Sequence, residues 1–212
     1  PKFVIIETEF LKSLSKRELL CGYAEILKHA IIKDKKFFNW LNKNSKEILK
    51  LKNDKLLIDA ITKSCKVKRH FVLKDTHESN LRMQLNFGHT FAHSLEALHG
   101  YSKKLNHGEA VLIGILLATK LSVIKKVCNI KEANKIFEHY KNQKIEFNLK
   151  NIVPKNKINR IISLMINDKK NNDNKINFIL LKKIGKTTST GEHKLSTSEL
   201  KKYFPKLINL NF

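Results

Sequence analysis

The chain of 212 residues has few cysteines: Cys21, Cys65 and Cys128 are odd in number, far apart and in no C-x-x-C pair. That argues against a disulfide framework or a cysteine zinc ribbon and suits a reducing compartment. Long apolar runs are missing as well. The longest, Ala110 to Ala118, stops before Lys120, short of the eighteen or so residues of a membrane helix. No secretory signal opens the chain, so the expectation is a cytoplasmic protein with no membrane partner. Neither G-x-G-x-x-G nor a P-loop is present, which removes the common glycine-rich nucleotide cradles.

Arginine is scarce too. Of 42 basic residues only Arg17, Arg69, Arg82 and Arg160 are arginine, although the formal net charge is +23. Specific nucleic-acid readers lean on arginine's planar fork for bases and phosphates. Here lysines are spread through the chain among many Asn and Ile, as a solvated lysine surface would be, so nucleic acid is not the expected partner. The general positive field still attracts a small anionic substrate.

What is present reads as a mainly helical domain. Phe3 to Ile6 is a β-branched, apolar run expected to form a short strand, and Glu9 to Leu14 a helical turn. Ser15 and Glu18 have the spacing of a capping box for a helix from Arg17 to about Leu41, in which Gly22 would allow close packing. Further helices are expected over Ser45–Leu51, Asp54–Leu73, His89–Leu98, His107–Val127, Lys131–Gln143, Lys155–Asn167 and Ser196–Tyr203. The segment after His107 is apolar almost all round and should be central. Asn171 to Asn174 is a polar turn, and Ile176–Leu181 with Thr187–Thr190 around Gly185 suggest a small β-hairpin.

Chemistry concentrates in Leu85-Asn86-Phe87-Gly88-His89-Thr90-Phe91-Ala92-His93, followed by His107-Gly108-Glu109. Two histidines four apart on a helix share a face, so both imidazoles can reach one small volume. Thr90 stands where a zincin needs its glutamate base, which excludes the H-E-x-x-H peptidases. Glu25 and Lys28 lie three apart on a core-facing helix, where Glu25 is either an ordinary salt bridge or, with His89 and His107, a ligand of a catalytic metal with positions left open. Arg82 and Asn86, four apart, lead into His89, a set suited to an oxyanion or a polyhydroxylated acid.

The string Arg17-Glu18, Gly22-x-x-Glu25-x-x-Lys28, Lys68, Asp75, Glu78, Arg82-x-x-Leu85-Asn86-x-Gly88-His89-Thr90-x-x-His93, Glu96, His107-Gly108-Glu109-Ala110-Val111, Gly114 and Asp168-Lys169-Lys170 closely resembles the 3-dehydroquinate synthase family. The resemblance runs in order through nearly the whole chain. It implies an enzyme that converts 3-deoxy-D-arabino-heptulosonate 7-phosphate to 3-dehydroquinate with release of phosphate, a step in aromatic amino acid biosynthesis, using NAD and a divalent zinc or cobalt ion. By that resemblance Glu25, His89 and His107 hold the metal. His93, Lys28 and Lys68 act at the reacting centre, and Arg82, Asn86, Lys169 and Arg17 contact substrate, Lys169 being preferred to Lys170.

It further implies that residues 1–212 are one helical metal- and substrate-binding domain, residues 1–15 being the strand and turn arriving from a nucleotide-binding domain outside this chain. The full-length enzyme would be a homodimer acting on a small anionic sugar phosphate. Ala92 replaces a glycine common in the family, which a helix accepts. The rival readings are another sugar-phosphate cyclase, a metal-dependent polyol dehydrogenase and, from a different class, a non-catalytic basic domain that binds nucleic acid.

Overall fold

The computed structural model describes residues 2–168 and 175–209. Helix α1 (Lys16–Lys33) starts as its sequence promises: the Ser15 side chain accepts from the Glu18 N–H, and the Glu18 carboxylate accepts from the Ser15 N–H at 2.7 Å. It ends earlier than expected. Asp34 is extended, with φ −142° and ψ 99°, and its side chain accepts from the Phe37 N–H at 2.9 Å, so it closes α1 and opens α2 (Lys35–Leu49). Apolar spacing continues across the break, which is why periodicity alone merges the two helices. Helix α3 (Asp54–Lys74) packs on both and completes a three-helix layer.

The second layer is built on α4 (His89–Leu98) and α5 (His107–Ile124). Every residue of α5 from Ala110 to Ser122 is buried, as the all-round apolar sequence requires. By length and composition α5 is long and apolar enough to cross a membrane, but it is the core helix of this fold, wrapped by α1, α4, α6 (Ile130–Asn142) and α9 (Thr197–Ile208). At roughly 1.5–3 kcal/mol for each large apolar side chain fully buried, this helix anchors the domain. A short α7 (Leu149–Ile152) and α8 (Ile158–Asp168) follow, α8 packing against α4 and α9.

The β structure is a nested antiparallel hairpin: β1 (Lys175–Asn177) pairs with β4 (Lys194–Ser196), and β2 (Leu181–Lys183) with β3 (Lys186–Thr187). Gly185, at φ +90°, makes the inner turn, and its N–H donates to Ile31 O at 2.7 Å, tying the hairpin to the last turn of α1.

Two local expectations are corrected. Phe3–Ile6 makes no ladder among the described residues, and Phe3 and Ile5 are 77% and 81% exposed. A strand needs a neighbour for its backbone groups, and none pairs with this segment among the described residues. Gly22 does not mediate packing either, since a Cβ there would meet nothing within 4 Å. The close approach on α1 occurs one residue earlier, at Cys21, where a Cβ on Gly108 would fall 2.2 Å from the Cys21 Cα.

Candidate metal centre

Three helices deliver the cluster. His89 is the first residue of α4 and His107 the first of α5, while Glu25 lies inside α1. Gly88 lets α4 begin against the body of α5: it sits at φ +83°, and a Cβ on it would lie 2.8 Å from the Ile115 N. Glu25, His89 and His107 each offer one ligand atom, and those atoms lie within 4.8 Å of one another.

The donor set fits a divalent cation in several independent ways. Glu25 Oε2 accepts from Lys28 Nζ at 2.7 Å, whereas Oε1 is buried without a hydrogen bond, 3.5 Å from His89 Nε2. An orphaned carboxylate oxygen in such a place costs free energy unless a cation or donor meets it. Both histidines also hold Nδ1 against an oxygen. His89 Nδ1 faces Phe87 O at 3.4 Å, and His107 Nδ1 meets both Glu96 oxygens, at 3.1 and 3.2 Å. A carbonyl or carboxylate at Nδ1 fixes a ligating imidazole with Nε2 available.

Electrostatics agree. Burial pushes the His89 pKa down, with Lys28 adding to the effect, so its imidazole is neutral and its Nε2 lone pair is free of a proton. Burial alone would raise Glu25, but the charge and hydrogen bond of Lys28 oppose it, and the carboxyl is held below its usual range. Lys28 is only 3% exposed, and desolvation lowers its pKa against the opposing pull of Glu25.

Around this cluster stands a cationic wall. Exposed Lys68 acts on Lys28 by repulsion, and Glu78 acts in the opposite sense, so the three share one electrostatic neighbourhood. Glu78 also joins the two polar groups that precede His89: it accepts from Asn86 Nδ2 at 3.1 Å and lies 3.5 Å from Arg82 Nε. Arg82 and Asn86 are carried by a 3-10 turn, Leu81–Asn86, rather than by an extension of α4. Asp75 shapes the loop before it, accepting from the backbone N–H of Arg82, Asn80 and Ser79, which holds its carboxyl well below the ordinary range. His93 lies beside the cluster, its ring edge-on to His89 with centroids 5.3 Å apart and stacked toward His107 with centroids 6.4 Å apart.

Arg17, expected to contact an anion, has its guanidinium on protein acceptors. Its Nε and Nη2 donate to Glu109 Oε1 and Oε2 at 2.6 Å each, and Nη1 donates to Lys103 O at 2.8 Å. Lys169 and Lys170 lie outside the described residues. Two functional groups carried no assigned role in the sequence reading, Glu96 and Glu78. Glu96 follows His89 by seven residues on the same helix, a same-face spacing that marks it out; Glu78 sits in a loop at φ +55°, where no periodicity points to it.

A protein-family description, the C-terminal domain of 3-dehydroquinate synthase, matches residues 22–171. The chain is 48% identical over 185 residues to a 3-dehydroquinate synthase of Pelagibacter ubique, covering 87% of this chain and 50% of that protein. It is 42% identical over 190 residues to the enzyme of that name from Thermoanaerobacter pseudethanolicus, covering 90% and 52%. It thus spans about half the length of these curated relatives. Its fold matches a 2-epi-5-epi-valiolone synthase from Streptomyces hygroscopicus, solved with NAD+ and Zn2+, at TM-score 0.79 and 22% identity over 95% of this chain and 54% of that one. A 2-deoxy-scyllo-inosose synthase, solved with carbaglucose-6-phosphate, NAD+ and Co2+, matches at TM-score 0.74 and 19% identity, covering 94% and 55%. The helices that bring Glu25, His89 and His107 together are therefore those of a known architecture, and the chain belongs to the 3-dehydroquinate synthase family, of which it carries the C-terminal domain.

Proposed function

We propose that this chain is the metal- and substrate-binding half of a 3-dehydroquinate synthase, a phosphate-eliminating carbon–oxygen lyase. It would act on 3-deoxy-D-arabino-heptulosonate 7-phosphate and form 3-dehydroquinate. The observation that carries the reading is the meeting of Glu25, His89 and His107, with Lys28 on one Glu25 oxygen and the other buried in the cluster without a hydrogen bond.

When bound, a zinc or cobalt ion on Glu25, His89 and His107 would supply Lewis acidity toward the substrate's hydroxyls, and NAD a transient hydride acceptor. The chain's own groups then position and neutralise. Lys28 spends one of its three N–H donors on Glu25 and keeps the others for a substrate oxygen. Arg82, oriented by Glu78, presents a planar fork suited to a carboxylate or phosphate. Lys68 adds charge from α3, Asn86 a neutral donor, and Lys169 is a further substrate contact. His93, beside both ligating rings, is the group for moving a proton at a substrate oxygen or carbon. Substrate positioning by this set removes much of the entropic barrier to a unimolecular elimination and ring closure. The full-length enzyme is proposed to be a cytoplasmic homodimer.

A second reading is another sugar-phosphate cyclase, since the valiolone and inosose synthases share the fold. One assay separates them: the full-length enzyme carrying this chain is given heptulosonate phosphate or sedoheptulose 7-phosphate. Dehydroquinate from the first, with no cyclised product from the second, supports the proposal. The reverse outcome assigns the chain to the rival cyclases.

A further inference from the structure

We propose that Arg17 is a positioning residue for the metal site: through Glu109 it sets where His107 stands opposite Glu25. This rests on the metal-site reading above. Arg17, Cys21 and Glu25 are spaced four apart on α1 and so form one stripe. All three meet the start of α5 or its ligand. Arg17 grips Glu109 with two N–H groups at 2.6 Å and the preceding loop at Lys103 O and Lys104 O, 2.8 and 3.3 Å. The Cys21 thiol donates to Asn106 Oδ1 at 2.7 Å, and its Cα allows no side chain on Gly108. Glu25 faces His107 in the ligand cluster.

His107 itself needs such a frame. Its side chain is 53% exposed, so packing does little to hold it; Glu96 at Nδ1 restrains the ring. The rest of its placement comes from the backbone between Asn106 and Glu109, which one carboxylate organises. Glu109 Oε2 accepts from the Asn106 N–H at 3.1 Å while Arg17 holds both of its oxygens. A guanidinium fork on a carboxylate fixes direction as well as distance. The four contacts take four of the five guanidinium N–H donors, including both that form the fork on Glu109. Arg17 is 45% exposed, and a pair in that setting adds little to fold stability. Its effect should therefore register in metal affinity and geometry, with the fold itself nearly untouched.

The test measures Zn2+ affinity of the 212-residue chain by chelator competition, and the visible spectrum with Co2+, for the wild type, Arg17→Lys and Arg17→Ala. In Arg17→Ala the zinc dissociation constant should rise roughly tenfold to a hundredfold, the usual range for losing a group that orients a ligand. Arg17→Lys keeps the charge without the fork, so it should fall between, and the cobalt band should shift in both. The melting temperature without metal should stay within roughly 3 °C of wild type. Zinc affinity in Arg17→Ala within about twofold of wild type, far inside the range for such groups, with an unchanged cobalt spectrum, overturns the positioning role while leaving the metal site standing. If Arg17→Ala does not fold, Arg17→Lys is judged by the same criterion. Failure of the wild type to bind zinc, or undiminished binding in His107→Ala, would overturn the metal reading and this inference with it.

Discussion

Gly88 and Gly114 meet backbone to backbone: a Cβ added to Gly114 would lie 2.2 Å from the Gly88 carbonyl oxygen. This contact lets the first turn of α4, with His89, press on α5, whose first residue is His107. The arrangement of the candidate metal site therefore depends on two glycines that carry no chemistry.

Gly114→Ala should lower stability by about 1–3 kcal/mol, the usual cost of forcing a methyl into a full core, and should lower zinc affinity by separating α4 from α5. Gly22→Ala is the control. With nothing within 4 Å of its Cβ, it should be neutral or stabilising by up to about 1 kcal/mol, since alanine is the better helix former. Urea unfolding of the two variants checks both signs, and equal effects would contradict the packing argument.

Much of this was legible in the sequence. Ser15 and Glu18 announce the start of α1, and the unbroken apolar run after His107 announces a central helix, because capping and burial leave local signatures. The break at Asp34 was hidden because Leu27, Ile31, Phe38 and Leu41 keep helical spacing across it. Glycine spacing could not say which glycine packs: Gly22 and Gly108 look alike in a string, and only the crossing of α1 with α5 decides for Gly108. The grip of Arg17 on Glu109 was hidden because the two lie 92 residues apart, a pairing no local pattern encodes.

Glu96 should matter to the metal without touching it. It accepts from His107 Nδ1 at 3.1 Å, and Glu96→Ala should weaken zinc binding roughly tenfold to a hundredfold. Chelator competition on the purified variant measures this. Wild-type affinity would mean that the exposed ring of His107 orients itself.

Acid should destabilise the fold through buried imidazoles. Burial pushes His139 down to about 4, where its Nδ1–H donates to Asn42 Oδ1 and its Nε2 accepts from the Tyr23 hydroxyl at 2.8 Å. In the unfolded chain a histidine titrates near ~6.5. Between those values the unfolded state holds a proton that the folded state lacks, so stability falls as pH falls from about 6.5 toward 4. His29, also pushed down to about 4 by burial beside Ser64, adds to the slope. Urea unfolding without metal should show a loss at pH 4.5 whose His139 share is about 2 kcal/mol, removed in His139→Gln. A flat profile between pH 6.5 and 4.5 would contradict the assignment.

Which residues hold the metal decides the function proposed for this chain. Elemental analysis of the purified chain, reconstituted with zinc, should find about one ion per chain, the stoichiometry of a single site with three protein ligands. That ion should be lost in Glu25→Ala, His89→Ala and His107→Ala, and kept in His93→Ala, where the proton-transfer group alone is removed. Zinc retained in the three ligand variants, or lost in His93→Ala while one of them keeps it, would contradict the site described here.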